Sequence, residues 1–102
     1  MVRWMRKARV APGKFLEAMA FATEIARYVK KFEGLPPVHV FIDSFGDMTT
    51  LRWVADYESL AAMEKVGTQM MADQEYLNKV DSSSHVFIPG SLKDVVMRLI
   101  ET

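Results

Sequence analysis

Arg6, His39, Asp43 and Arg52 are the side chains of this sequence whose types and positions could do chemistry. Arg6 stands mid-way along a run that reads as an interior β-strand, where a guanidinium is expensive to bury unless a carboxylate or an anionic ligand pairs with it. Two roles are open to it. It could close an ion pair with Asp43 or Asp94, or it could hold a substrate carboxylate and stabilise a developing enolate by fixed positive charge. Arg52 falls beside Asp43 and across from Phe41 in the register that a tight Gly46-Asp47 hairpin sets, and the same two roles are open to it. His39 titrates near neutrality and could take an acidic substrate proton as general base, while its place just after Pro36-Pro37 also fits a part-exposed rim residue. Trp4, Phe41 and Phe45, with Trp53, offer flat apolar surface to an aromatic molecule. Arg6 and His39 are therefore the catalytic candidates, and Trp4, Phe41, Asp43, Phe45 and Arg52 the substrate-binding ones.

Other chemistries find no support. The two histidines, His39 and His85, have unrelated spacing, and with no cysteine and no His-Glu-x-x-His run no metal site is expected. The absence of cysteine also excludes disulfides and thiol nucleophiles. Ser44 and Ser82 to Ser84 lack a nucleophile-elbow signature, and no glycine-rich phosphate loop is present, so no cofactor is expected. Thirteen basic and thirteen acidic residues cancel. That balance provides no general field for nucleic acid or an anionic membrane, and neither partner is expected. No apolar stretch approaches the roughly 20 residues that span a bilayer, and the arginine-studded start, Met1 to Val10, does not read as a secretory signal. A cytoplasmic location is expected. With 102 residues, half of them apolar, the chain is expected to form a single domain over 1–102 with one modest core. Its eight methionines fit an adaptable core or a pocket lining.

The elements that must position these residues follow from periodicity. Val2 to Val10 reads as a strand stopped by Pro12-Gly13, and its two faces, Val2, Trp4, Arg6, Ala8, Val10 and Arg3, Met5, Lys7, Arg9, are both mixed. Phe15, Ala18, Met19, Ala22, Ile25, Ala26, Val29 and Phe32 repeat at helical spacing between Lys14 and Phe32, and Gly34 with Pro36-Pro37 ends that helix. Val38 to Phe45 and Met48 to Tyr57 alternate as two strands around the Gly46-Asp47 hairpin. That loop sets Phe45 against Met48, Asp43 against Thr50, Phe41 against Arg52 and His39 against Val54. Val38, Val40, Ile42, Leu51, Trp53 and Ala55 then share an apolar face that belongs under helices. Ser59 should cap a helix from Leu60, and Asp73 a further turn through Val80. Asp81 to Ser84 reads as a turn or loop, His85 to Ile88 as a short extended segment, and Leu92 to Ile100 as a last strand, with a short helix as the alternative.

Strand, helix, strand, strand, helix, strand is the α+β, ferredoxin-like βαββαβ sandwich, an antiparallel sheet with two helices on one face. The uncovered face is expected to present Trp4, Phe41 and Phe45 together, a patch that monomers seldom expose. A second copy across a two-fold axis is the economical cover, making a homodimer with a cavity between the sheets.

The first strand with Arg6, Val10 and Pro12-Gly13-Lys14, the hairpin leading to Trp53, the stretch Tyr57-Glu58-Ser59-Leu60-Ala61, and Ala72-Asp73 with Glu75-Tyr76 resemble the NIPSNAP-like branch of the dimeric α+β barrel superfamily, across nearly the whole chain. The arginine on that family's first strand is matched by Arg6; the aromatic residue two places on is replaced by Ala8. The superfamily includes cofactor-independent monooxygenases acting on aromatic polyketides, haem-degrading enzymes, muconolactone isomerases and chlorite dismutases. The resemblance implies a site in the cavity between sheet and helices, binding or transforming a small anionic or aromatic molecule by monooxygenase-like or isomerase-like chemistry. By analogy with distant relatives it also offers His85 as a haem ligand, beside the plainer reading of His85 as a solvated loop or lid residue. The competing expectation is a non-catalytic homodimeric assembly module whose charged interior its own partner copy fills.

Overall fold

The computed structural model describes residues 1–47 and 49–101. Within them, strands β1 (Val2–Arg9), β2 (His39–Ile42), β3 (Thr50–Tyr57) and β4 (Lys93–Arg98) form one sheet in the order β2-β3-β1-β4, with every neighbouring pair antiparallel. Helices α1 (Phe15–Tyr28), α2 (Leu60–Met71) and α3 (Gln74–Ser82) supply Ala18, Ala22, Ile25, Val66 and Tyr76 to the core, against Ala8, Leu51, Trp53 and Ala55 of the sheet. This is the ferredoxin-like α+β architecture, and the last strand is a strand, not a helix.

Local causes are readable at each boundary. The apolar stripe of α1 gives it a buried edge of Ala18, Ala22 and Ile25, and small alanines let the helix lie close on Leu51 and Trp53. The helix tightens into a 3₁₀ turn over Val29–Lys31 and is released at Gly34, whose φ of 85° favours glycine. The side chain of Ser59 accepts the Ala62 N–H at 3.1 Å and starts α2. The spacing predicts one helix with a further turn; instead Asp73 opens a separate helix, accepting the Tyr76 N–H at 2.8 Å. α3 also runs through Asp81 and Ser82, in place of the expected loop, and His85 lies in a 3₁₀ turn, Ser84–Val86, so that only the Val10–Phe87 bridge remains of the extended segment.

The hairpin register is as the alternation predicts, with His39 opposite Val54 and Phe41 opposite Arg52, and the Asp43 N–H donating to the Thr50 carbonyl at 3.2 Å. The Phe45–Met48 pairing lies outside the described residues. Gly46 turns with φ of 84°, but the loop is looser than a two-residue turn, with β2 ending at Ile42 and β3 starting at Thr50.

One expectation is overturned by register. Trp4 lies opposite Ala55 and Arg6 opposite Trp53, and Ala55 and Trp53 belong to the core beneath the helices. Because side chains alternate between faces, Trp4 and Arg6 point to the helix side. They share no face with Phe41, and the expected patch of Trp4, Phe41 and Phe45 does not exist. The open face instead carries Arg3, Met5 and Lys7 of β1, Arg52, Val54 and Asp56 of β3, His39 and Phe41 of β2, and Val95 and Met97 of β4, with Asp43 just beyond Ile42.

Candidate functional site

Between the helix-facing side of β1, β3 and β4 and the helices lies a cavity of about 710 Å³. It exists because β4 is exposed along its whole length, while α2 buries only Val66. One wall is aromatic: Phe21, Trp53 and Phe87 meet edge to face with ring centres 5.9 to 6.4 Å apart, the geometry that aromatic quadrupoles favour. Met63, Met70 and Met71 of α2 form an opposite wall of soft thioethers. Trp4, Tyr57 and Tyr76 complete the lining around Arg6 and Asp94.

Arg6 finds its carboxylate on the neighbouring strand. Asp94 is its cross-strand partner, and the guanidinium donates from Nε to one carboxylate oxygen at 2.7 Å and from Nη2 to the other at 2.9 Å. The guanidinium also lies 5.3 Å from the centre of the Trp4 ring, within cation–π range. The hydrogen bonds from Arg6 hold the Asp94 carboxyl below the usual carboxylate range, against the opposing effect of burial. So the pair is an internal salt bridge on the cavity wall. Of the two partners expected for Arg6, the structure supplies Asp94, and Asp43 belongs to the opposite face.

There Asp43 accepts from Arg52 at 2.8 and 3.0 Å, as the register requires, and Asp56 accepts from Arg3 at 2.7 and 2.9 Å. His39 is exposed on this face with its ring 6.4 Å from that of Phe41, so it cannot serve the cavity as a base from where it stands. Phe41 is 53% exposed, and Phe45 projects from the hairpin loop 94% exposed. His85 lies outside the cavity lining, with Nε2 3.3 Å from a Glu17 carboxylate oxygen. Of the seven candidate site residues, then, the structure brings together only Arg6 and Trp4 at the cavity; His39, Phe41, Asp43 and Arg52 form a separate group across the sheet, and Phe45 joins neither. Among the described residues no three His, Asp or Glu side chains converge as a metal centre would need, and no helix is long and apolar enough to cross a membrane.

Solved structures with the same architecture give this cavity a context. An uncharacterised NIPSNAP domain protein from Burkholderia xenovorans aligns with a TM-score of 0.79 at 13% identity, covering 98% of this chain and 95% of its own. A NIPSNAP family protein from Agrobacterium tumefaciens aligns with a TM-score of 0.76 at 16% identity, over 98% of this chain and 86% of its own. An antibiotic biosynthesis monooxygenase aligns with a TM-score of 0.76 at 12% identity, over 99% of this chain and all of its own. The chain shares the fold of these proteins. No family model matches the sequence, and no curated protein matches it either. The NIPSNAP-like, ferredoxin-like fold is thus a likeness of backbone, and a shared fold does not carry a shared reaction.

Sequence reasoning passes over the residues that complete that cavity. Tyr57 has the strand parity of Trp53 and is legible as a helix-facing residue of β3. Tyr76 is placed by the Asp73 cap three residues earlier. Phe21 and Phe87 carry no local signal; their meeting on Trp53 is a product of tertiary packing.

Proposed function

We propose that this chain binds a small aromatic molecule in the cavity between its sheet and its helices. The observation that supports it is the cavity itself: about 710 Å³ with aromatic and thioether walls and a few convergent polar groups, inside the size range, roughly 300–1,000 Å³, of small-molecule sites. Monooxygenase-like or isomerase-like chemistry would need a proton acceptor there. His39 is on the wrong face, and Asp94 is made a poor base by Arg6. Binding is therefore the better-supported function. The chain's two tryptophans, Trp4 and Trp53, both line the cavity, which makes occupancy directly readable. N-phenyl-naphthylamine, a neutral aromatic fluorophore, should show saturable energy transfer from the tryptophans, reversed by unlabelled naphthalene. Transfer that rises linearly without saturating would mean that the cavity is not a binding site.

The proposal extends to assembly, with a second copy of the chain covering the open face of the sheet. Phe41, Val95 and Met97 are exposed there, and the arginines of that face, Arg3 and Arg52, already hold their own carboxylates. Those two pairs can be covered without stranding either of their charges, whereas Lys7 and Lys93, opposite one another on β1 and β4, have no carboxylate partner among the described residues and would have to keep water or meet a carboxylate of the second copy. Light scattering should report twice the chain mass of 11.6 kDa at micromolar concentration, and Phe41→Asp should halve it. A wild-type monomer under those conditions would sink this part of the proposal.

A further inference from the structure

Two phenols that line the cavity have protons with no acceptor among the described residues. Tyr57 at the end of β3 and Tyr76 at the start of α3 are only 6% and 7% exposed, and neither hydroxyl donates a hydrogen bond among the described residues. No sealed side-chain nitrogen or oxygen lacks a partner among those residues. Neither hydroxyl is therefore sealed, and both residues line the cavity. Burial and the neighbouring Tyr76 push the Tyr57 hydroxyl above the usual phenol range, so it stays a neutral donor. Tyr76 adds a small contribution to the charged state of Arg6, after that of Asp94. Arg6 adds one more donor. Its Nε and Nη2 are committed to Asp94, whereas Nη1 has no carboxylate partner among the described residues. The indole N–H of Trp53 is already committed to the Ala22 carbonyl at 3.3 Å.

The uncommitted groups are thus mostly donors, while the local charge is already cancelled, since Asp94 neutralises Arg6. An anion could take only the Nη1 hydrogens of a guanidinium whose charge Asp94 already cancels, and it would also meet Glu64 on the α2 wall. A neutral acceptor would simply complete the phenols' hydrogen bonds in a dry setting, where an unmade bond is costly.

We propose that the ligand is a neutral aromatic molecule bearing a carbonyl-type oxygen, a ketone, amide or quinone, whose oxygen accepts from Tyr57 and Tyr76. This rests on the cavity being a binding site, and it narrows the ligand class from anionic or aromatic to neutral and carbonyl-bearing. The phenols set the specificity and Arg6–Asp94 supplies a charge-compensated floor.

The test is calorimetric titration of three probes of matched shape, methyl naphthyl ketone, naphthoate and isopropylnaphthalene, against the wild type and the Tyr57→Phe, Tyr76→Phe double variant. The ketone should bind about tenfold more tightly than either of the others, and the double variant should lose that advantage while holding the hydrocarbon as before. Naphthoate binding tightest, or a ketone affinity unmoved by the two substitutions, would overturn the assignment of ligand class and leave the cavity-binding proposal standing. Failure of all three probes to bind would overturn both. Should the double variant not fold, Tyr57→Phe alone and the wild-type ranking decide between the same outcomes.

Discussion

The Arg6–Asp94 pair allows a test in which hydrogen-bond geometry is held constant while the shelter of the arginine, by burial and by the Trp4 ring, changes. It and the Arg3–Asp56 pair are both cross-strand and bidentate, with the same two distances of 2.7 and 2.9 Å. They lie on opposite faces of β1. The side chains of Arg6 and Asp94 are 29% and 41% exposed, against 48% and 39% for Arg3 and Asp56. Two unit charges about 4 Å apart attract by about 4 kcal/mol at an effective dielectric of about 20, and by about 1 kcal/mol in water. With a third or more of the Arg6 pair still wet, its value belongs nearer the lower limit. Allowing for the entropy of ordering two side chains, a coupling of about 1.5 kcal/mol is expected. The assay is a double-mutant cycle by urea unfolding in the Phe41→Asp background, where no second copy covers Arg3 and Asp56, with Arg6→Met, Asp94→Ala and the double variant, set beside the same cycle at Arg3 and Asp56. The Arg6 coupling should be the larger and should largely survive 1 M salt, where the Debye length is about 3 Å; the Arg3 coupling should fade. Equal couplings, or an Arg6 coupling indistinguishable from zero, would refute the idea that the cavity wall shelters this pair.

Ser59→Ala removes the side-chain cap of α2 and should lower stability by about 1 kcal/mol in urea unfolding. Gly67 sits inside α2 where an added Cβ would meet nothing within 4 Å, so Gly67→Ala should raise stability by about 0.5–1 kcal/mol. Asp73 has its carboxyl lowered to about 2, first by Lys31 at 2.6 Å, then by the Tyr76 N–H and the Tyr28 hydroxyl. A depressed folded-state pKa contributes stability above the unfolded value near 3.8, and that contribution is lost as pH falls from there towards 2. Melting temperatures measured across this range should fall for the wild type and be flatter for Asp73→Asn; parallel curves would show that Asp73 is not the group responsible.

The alternation in β2 and β3 makes the hairpin register legible, because Val40, Ile42, Leu51, Trp53 and Ala55 leave one choice of buried face. Ser59 and Asp73 are legible as caps because each sits one residue before a helical run and offers an acceptor oxygen to it. β1 is different. It carries cations on both faces, so its own pattern cannot say which side meets the helices, and its aromatic residue Trp4 is easily grouped with Phe41. What settles its parity is Ala8, fully buried opposite Leu51; Arg6 and Trp4 must follow it two and four residues back. The ion-pair partner of Arg6 is among the two that the sequence offers, but choosing Asp94 over Asp43 needs the strand order, which sets β4 beside β1.

That parity decides what Arg6 can do. Among the charges of the open face, it would be one more residue for a partner copy to cover. On the helix side it stands beside the aromatic wall, next to Tyr57 and Tyr76 in a cavity that the protein's own side chains leave unfilled. On the proposals made above, the two faces of β1 serve separate tasks, assembly on one side and ligand binding on the other. The tasks are separable by mutation: Phe41→Asp should abolish dimerisation while leaving the affinity for a neutral naphthyl ketone within about twofold, since no cavity residue touches the altered face and distant sites behave additively. If the monomeric variant also loses the ligand, the cavity depends on the partner copy and the two tasks are one.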